Sequence, residues 1–232
     1  MNSINVLIAC EASQEVCKAF RALGHNAFSC DIEPCYGGHP EWHIQTDVRN
    51  VLWYEQWDLI IAHPPCTYLT VTGNRWFNET RYGNKAIERK KERELAAQFF
   101  MEFVSAPCKH IAIENPVGYM STHYRKPDQI IQPYMFGDPY EKKTCLWLKN
   151  LPILLPTHQV EPESRVVFKS GKTGPAWYYK VKTSDPEKRA RERSKTFPGV
   201  AAAMAQQWSE YLEQQCIDYL REKAVSKWIT TK

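Results

Sequence analysis

Asp58-Leu59-Ile60-Ile61-Ala62-His63-Pro64-Pro65-Cys66-Thr67-Tyr68 decides how the rest of the chain is read. Three aliphatic residues in succession, bounded by Trp57-Asp58 and by two prolines, describe a short strand buried on both faces, as in a parallel sheet. Cys66 then stands just past the strand's carboxyl end, the edge where ligands gather in open α/β sheets. The prolines fix φ and remove two backbone donors, so the thiol is displayed on a stiff, non-helical turn. His110-Ile111-Ala112-Ile113-Glu114-Asn115-Pro116 repeats the pattern, a short apolar strand ending in polar groups and a proline. If the two strands are neighbours, Cys66 and Glu114 face one cleft. A thiol beside a carboxyl suits attack on an electron-poor ring with a proton donor at hand. Each residue alone has a plainer reading, Cys66 as a small buried hydrophobe and Glu114 as a solvated loop residue. The matching contexts favour chemistry.

The 232 residues are 43% hydrophobic and 24% charged, ordinary for one sizeable soluble domain whose core needs no staples. A net charge of +4 permits an anionic partner, although a solvated surface explains it equally. No run approaches the roughly 20 apolar residues of a spanning helix, and Val6–Cys10 stops at Glu11 without a signal-type flank. No membrane association is expected, and the location expected is the cytoplasm. The eight cysteines form no CxxC pair, which favours reduced thiols. Cys30, Cys35, His39 and His43 fit no common zinc spacing, and no metal is expected.

From the amino end, residues 4–10 make a first buried strand, and Ser13 is placed to cap a helix carrying Val16, Ala19, Phe20 and Leu23 on its apolar face, stopped by Gly24. Asn26 to Cys30 forms a second strand ending at Asp31, where an acid can accept from ribose hydroxyls, with Ile32 as an apolar face for a base. The turn between, Cys10-Glu11-Ala12-Ser13-Gln14, has no glycine, and Glu11 would repel a pyrophosphate. A cationic or zwitterionic ligand is not repelled, which points away from a dinucleotide and toward S-adenosylmethionine. A third strand, His43–Val48, ends near Asp47, which either accepts from an adenine amino group or opens the next turn.

Thr67 to Gly83 reads as a long polar and aromatic loop, with Arg75 and Trp76 offering phosphate contact and a stacking plane, and is placed to act as a lid. Lys85–Val104 is a charged helix expected to cover the sheet with Leu95, Phe99, Phe100 and Phe103. Ile130–Tyr134 and Thr144–Leu148 suggest a closing hairpin around Gly137-Asp138-Pro139. Residues 152–196 are proline-rich and then basic, from Lys188 to Lys195. With Trp177-Tyr178-Tyr179-Lys180 they read as a nucleic-acid surface, against the plainer reading of a solvated insertion. Val200–Ala224 is a helix with Ala203, Met204, Trp208, Tyr211 and Leu212 in the core.

This order of parts, with Pro65-Cys66 after one strand and Glu114-Asn115 after the next, resembles the cytosine carbon-5 DNA methyltransferases. Cys145-Leu-Trp-Leu-Lys-Asn-Leu-Pro152 and Thr196-Phe-Pro-Gly-Val200 look like the short phage-encoded branch. The resemblance implies a Rossmann-like S-adenosylmethionine-dependent methyltransferase fold with a small recognition insertion. Residues 1–151 would bind cofactor and catalyse, 152–196 would recognise the target, and 197–232 would close the domain. It implies that Cys66 attacks carbon 6 of a flipped cytosine and that Glu114, its pKa raised by burial, holds a proton on the ring nitrogen, positioned by Asn115 and Pro116. Cys10, Glu11, Ala12, Ser13, Asp31, Ile32, Asp47, Val48 and Pro64 fall at cofactor-binding positions. Thr67, Arg75, Trp76, Lys143, Arg189, Arg191 and Arg193 would meet DNA, and no obligate protein partner is indicated.

Three departures stand out: the glycine-free turn, Thr67 where the family usually carries Gln, and Lys142-Lys143-Thr144 in place of paired arginines. An exocyclic-amino methyltransferase would place an acid or Asn before the prolines and an aromatic after them, where this chain has His63 and Cys66. The glycine-free turn keeps alive a catalytically idle DNA-binding protein of the same fold. A modifier of another pyrimidine substrate would leave the basic segment without a use.

Overall fold

A computed structural model of the chain describes residues 3–54, 56–181 and 183–230. Residues 1–2 and 231–232, the ends of the first and last expected segments, lie outside that description. In chain order the elements are β1 (Asn5–Ala9), α1 (Glu15–Ala22), β2 (Asn26–Asp31), β3 (His43–Gln45), α2 (Arg49–Leu52), β4 (Leu59–Ala62), α3 (Glu79–Tyr82), α4 (Asn84–Ser105) and β5 (His110–Pro116). There follow α5 (Met120–His123), β6 (Gln129–Ile131), β7 (Thr144–Lys149), β8 (Arg165–Val167), β9 (Thr173–Pro175), α6 (Ala176–Lys180), α7 (Pro186–Ser194) and α8 (Pro198–Thr230).

Seven strands form one sheet in the order β3-β2-β1-β4-β5-β7-β6, parallel except that β7 runs antiparallel to both neighbours. This is the Rossmann-like α/β arrangement expected from the sequence. Its cause is visible in β1 and β4, whose successive residues alternate between faces and are nevertheless apolar throughout Val6–Ala9 and Leu59–Ala62. Val6, Ile8, Leu59 and Ile61 pack with α1 and α8, through Val16, Phe20, Met204 and Trp208. Leu7, Ala9, Ile60 and Ala62 pack on the other face with Leu52 of α2 and Phe100 and Phe103 of α4. A strand apolar on both sides has to be covered on both sides, and the result is three layers.

Several local expectations change. Ser13 does not cap α1: its hydroxyl meets the Glu11 carboxylate at 3.4 Å, and that carboxylate accepts the Val16 and Cys17 N–H groups at 2.8 and 3.2 Å. Glu11 is the longer side chain, and from the preceding turn it reaches the orphan donors of the first helical turn. Thr67–Gly83 is not a structureless loop, since it contains a 3₁₀ segment at Val71–Phe77 and then α3. Leu95 is 58% exposed and leaves the covering of the sheet to Ala97, Phe100 and Phe103. The hairpin forms, but its first strand stops at Ile131, because Pro133 opens a 3₁₀ turn. Residues 152–196 carry the β8–β9 hairpin, α6 and α7. Among the described residues no helix is long and apolar enough to cross a membrane.

Candidate active site

The chain passes from β1 outward through β2 and β3, then crosses back to β4 on the other side of β1. Strand order therefore reverses between β1 and β4, and the carboxyl ends of these strands are where sheets of this kind hold their ligands. His63 lies on that seam. Its N–H bonds the Ala9 carbonyl at 2.9 Å, and its Nδ1 stands 2.8 Å from Oε2 of Glu114 on the adjacent β5. Both side chains are 12% exposed. Burial works to lower the imidazole pKa, but the Glu114 hydrogen bond and the carboxylates of Glu114 and Glu11 outweigh it and hold His63 above its ordinary value.

Burial likewise pushes the Glu114 carboxyl up, yet the His63 hydrogen bond and the charges of Lys142 and His63 carry it below the usual carboxylate range. The expectation of a raised Glu114 is thereby corrected. Below the ordinary imidazole value the pair is therefore an imidazolium donating from Nδ1 to a carboxylate. His63 Nε2 is buried with no hydrogen-bond partner among the described residues.

Cys66 is exposed at the tip of the turn, where its carbonyl accepts the Leu69 and Thr70 N–H groups at 3.0 Å. Desolvation of the sulfur and the Glu114 carboxylate push the thiol up, against a smaller opposing effect of Lys142. A protonated resting thiol follows. Asn115 holds the turn rather than the acid: its side-chain amide donates to the Pro64 carbonyl at 2.8 Å, tying the end of β5 to the end of β4. Lys142 donates to the Ser194 and Lys195 carbonyls at 3.4 and 3.2 Å. With Glu114, Thr144 and Phe197 it lines a cavity of about 10 Å³, room for roughly one water.

At the cofactor edge, Cys10 and Gln14 adopt φ of 59° and 60°, a conformation glycine enters freely. The turn keeps a glycine-like backbone with other residues in it. Gln14 is buried and bonds the main chain of His39 in both directions. The Tyr36 N–H bonds the Ala12 carbonyl, and Gly37 lies so close that an added Cβ would sit 2.4 Å from the Ser13 carbonyl oxygen. Glu11, Ala12 and Ser13 are consequently buried under the 36–37 segment.

The nucleoside side is more open. Asp31 ends β2 with its carboxyl raised, chiefly by burial, and Ile32 is 71% exposed beside it. Asp31, Ile32 and Cys10 fit ribose hydroxyls and a flat base. Asp47 bonds the Arg49 N–H and guanidinium through its two oxygens, the turn-opening role, and Val48 is buried beneath it. Pro64 is buried behind the Cys66 turn. The suspected metal group is engaged otherwise: His43 bonds Ser29 and the Glu33 carbonyl, His39 stacks on Trp42 and meets Glu41, and no metal-ligating cluster appears among the described residues.

The expected lid is strapped down. Arg89 donates to the Thr67 carbonyl, Arg93 to those of Tyr68 and, by its other nitrogen, to the Asn74 side chain, and Gly118 presses against Leu69. Thr67 is exposed, and Trp76 is 41% exposed with Arg75 over its ring. Lys143 is exposed and makes no ion pair among the described residues. The insertion's three arginines 189, 191 and 193 find partners within the chain, although Arg191 stays exposed. Arg189 bonds the Thr183 carbonyl, Arg191 pairs with Glu33 at 3.0 Å, and Arg193 bonds the Tyr178 carbonyl and covers its ring at 3.7 Å. Trp177 is likewise an anchor, bonded to the Glu141 carbonyl and packed on Phe197.

Sequence reading passed over His63 and Lys142 as site residues. The signal for His63 was its place directly after an apolar strand, one position past Ala62, which is in register with Ile113, the residue before Glu114 on the next strand. Lys142 carried no such signal, because its reach to the Glu114 cavity depends on the 194–195 backbone.

No protein-family model matches this chain, and no curated protein matches it. Among solved structures, it is similar to the S. pombe Dnmt2 methyltransferase at 14% identity, covering 65% of this chain and 50% of that one with a TM-score of 0.40. It is also similar to the Entamoeba histolytica methyltransferase EhMeth at 16% identity, covering 71% of this chain and 59% of that one with a TM-score of 0.44. The chain thus spans half to three-fifths of the length of these structures.

Proposed function

We propose that the protein is an S-adenosylmethionine-dependent methyltransferase acting on carbon 5 of cytosine in DNA. The observation that carries this reading is the exposed Cys66 thiol on the turn locked by Asn115, within the field of the buried Glu114–His63 pair. A soft nucleophile next to a shielded acid suits addition to a pyrimidine ring better than hydrolysis or phosphate transfer.

In this reading the cytosine leaves the helix, at a cost of a few kcal/mol, and lies over Cys66. The sulfur bonds carbon 6, and the displaced electron pair travels through the ring to N3, which takes a proton at Glu114. Carbon 5 thereby becomes an enamine carbon. S-adenosylmethionine, held by Asp31, Ile32 and Cys10, supplies an electrophilic methyl group when bound. Lys142 favours the thiolate over the thiol and so eases the first bond.

The test is nucleoside mass spectrometry on DNA from a host lacking cytosine methylation that expresses either this protein or its Cys66→Ala form. The reading requires 5-methylcytosine with the intact protein and none with the variant. A second reading, an idle DNA-binding protein of this fold, is favoured by the 36–37 segment covering Ala12 and Ser13, where the methionine end of a cofactor would lie. Calorimetry separates the two: DNA affinity without S-adenosylmethionine binding would select the idle protein.

A further inference from the structure

We propose that His63 is the proton-holding partner of Glu114, so that the acid of this site is the pair and not the carboxyl alone. The inference rests on the reading of Glu114 as the group that protonates a pyrimidine ring. At rest Glu114 is a carboxylate, and a carboxylate has no proton to give. The nearest proton is on His63 Nδ1, across a 2.8 Å hydrogen bond. The opposite ring nitrogen, Nε2, is sealed from solvent without a partner among the described residues, so the hydrogen-bonded route for that proton leads to Glu114.

The groups facing the pair are few. Glu11 acts on the imidazole from the β1–α1 turn and Lys142 from the approach to β7, while Cys66 faces Glu114 from the same turn as His63. Glu11 is fixed in place by the Val16 and Cys17 N–H groups and remains an acceptor. The charge of Glu11 thus adds to that of Glu114 in favouring the protonated imidazole.

The step balances without an added reagent. The exposed Cys66 thiol gives its proton to solvent; as the thiolate bonds carbon 6, the 5,6 double bond becomes a 4,5 double bond, and N3 takes a proton through Glu114. Glu114 takes the Nδ1 proton in turn and leaves His63 neutral. When carbon 5 has gained its substituent and lost its hydrogen to water, the 5,6 double bond re-forms and the thiolate leaves. The N3 proton then returns through Glu114 to Nδ1.

Two measurements on the full chain test this. First, ¹⁵N NMR follows the His63 imidazole against pH in the intact protein and in Glu114→Gln. The intact imidazole should stay charged above its ordinary 6.5 and titrate at clearly lower pH in the variant, where burial and Lys142 are opposed by the charge of Glu11 alone. Second, hydrogen–deuterium exchange at cytosine carbon 5 of a duplex oligonucleotide, without cofactor, reports thiol addition and N3 protonation. His63→Asn keeps a donor beside Glu114 but cannot release a proton. It should lose at least about tenfold in exchange near pH 8, much less near pH 6, with the alkaline limb about one unit earlier.

Exchange by His63→Asn at the intact rate and with the intact limb would show that His63 merely positions Glu114, and would overturn the proposal. So would an intact His63 that is neutral at about pH 6. Absence of exchange by the intact protein at every pH would strike the cytosine reading instead, and the NMR titration would still decide whether the pair shares a proton.

Discussion

Replacing Glu11 discriminates between a helix cap and a ligand-binding acid. Its carboxylate accepts Val16 N–H at 2.8 Å and Cys17 N–H at 3.2 Å in a buried setting, at the start of a helix whose Val16, Cys17 and Phe20 are core residues. Glu11→Ala leaves two buried donors without an acceptor, each costing about 1–3 kcal/mol. It also removes a negative charge from a helix N-terminus, worth about 0.3–1 kcal/mol. Burial pushes the Glu11 carboxyl up and so takes back part of the charge contribution. We expect a loss of about 3 kcal/mol, or roughly 6–12 °C in Tm for a chain of this size. Glu11→Gln keeps an oxygen acceptor and should lose only about 1 kcal/mol. Urea and thermal unfolding followed by circular dichroism at neutral pH measure both. An Ala variant within about 0.5 kcal/mol of the intact protein would refute the capping argument. Equal losses in the two variants would show that charge, not the hydrogen bonds, sustains the helix.

Gly118→Ala should cost about 1–3 kcal/mol and detach the Thr67–Phe77 segment, because its Cβ would meet the Leu69 carbonyl oxygen at 2.0 Å; protease cleavage within that segment is the readout. The His63–Glu114 pair makes stability depend on pH in a defined window. With the imidazole raised above 6.5, its contribution is complete below that value and fades as pH rises through the higher folded value; with Glu114 held below 4.5, its contribution is present above 4.5 and is lost as pH falls through the lower folded value. Denaturation midpoints of the intact protein and His63→Asn should therefore differ most between these limits and converge on the alkaline side. If DNA is the partner, Lys143→Ala should weaken binding and lower the salt slope by about 1, while Arg193→Ala, whose guanidinium is engaged with Tyr178, should leave the slope unchanged.

Much of the fold is written locally. A run such as Leu59-Ile60-Ile61-Ala62 is apolar at both parities, which leaves a two-faced strand as its natural form, and the prolines that follow mark its carboxyl end. Once β4 and β5 are accepted as neighbours, the nearness of Cys66 and Glu114 follows. The charge state of Glu114 does not follow, because it depends on a residue one position beyond each strand's apolar run and on Lys142. Ser13 has the usual capping chemistry at the expected place, but tertiary burial of Glu11 displaces it. Charge runs misled for a related reason. Sequence shows that Arg189, Arg191 and Arg193 are close together, but not that carbonyls of Thr183 and Tyr178 and the acid of Glu33 lie within their reach.

The contacts those arginines make within the chain change what the insertion does in the molecule. Arg191 pairs with Glu33 and lies with Lys195 over the Tyr36 ring, and the Tyr36 N–H in turn holds the Ala12 carbonyl of the cofactor turn. At the carboxyl end of the same helix, the Ser194 and Lys195 carbonyls hold the Lys142 ammonium, as suits the negative end of a helix. Lys142 lowers Glu114 and opposes the rise of Cys66. One helix therefore fastens the segment over the β1–α1 turn and holds the cation that helps lower Glu114 and partly offsets the rise of Cys66. A segment that reads as an appendage for recognition is thereby part of the electrostatics of the site, and its basic residues cannot be exchanged as surface charges without disturbing both edges.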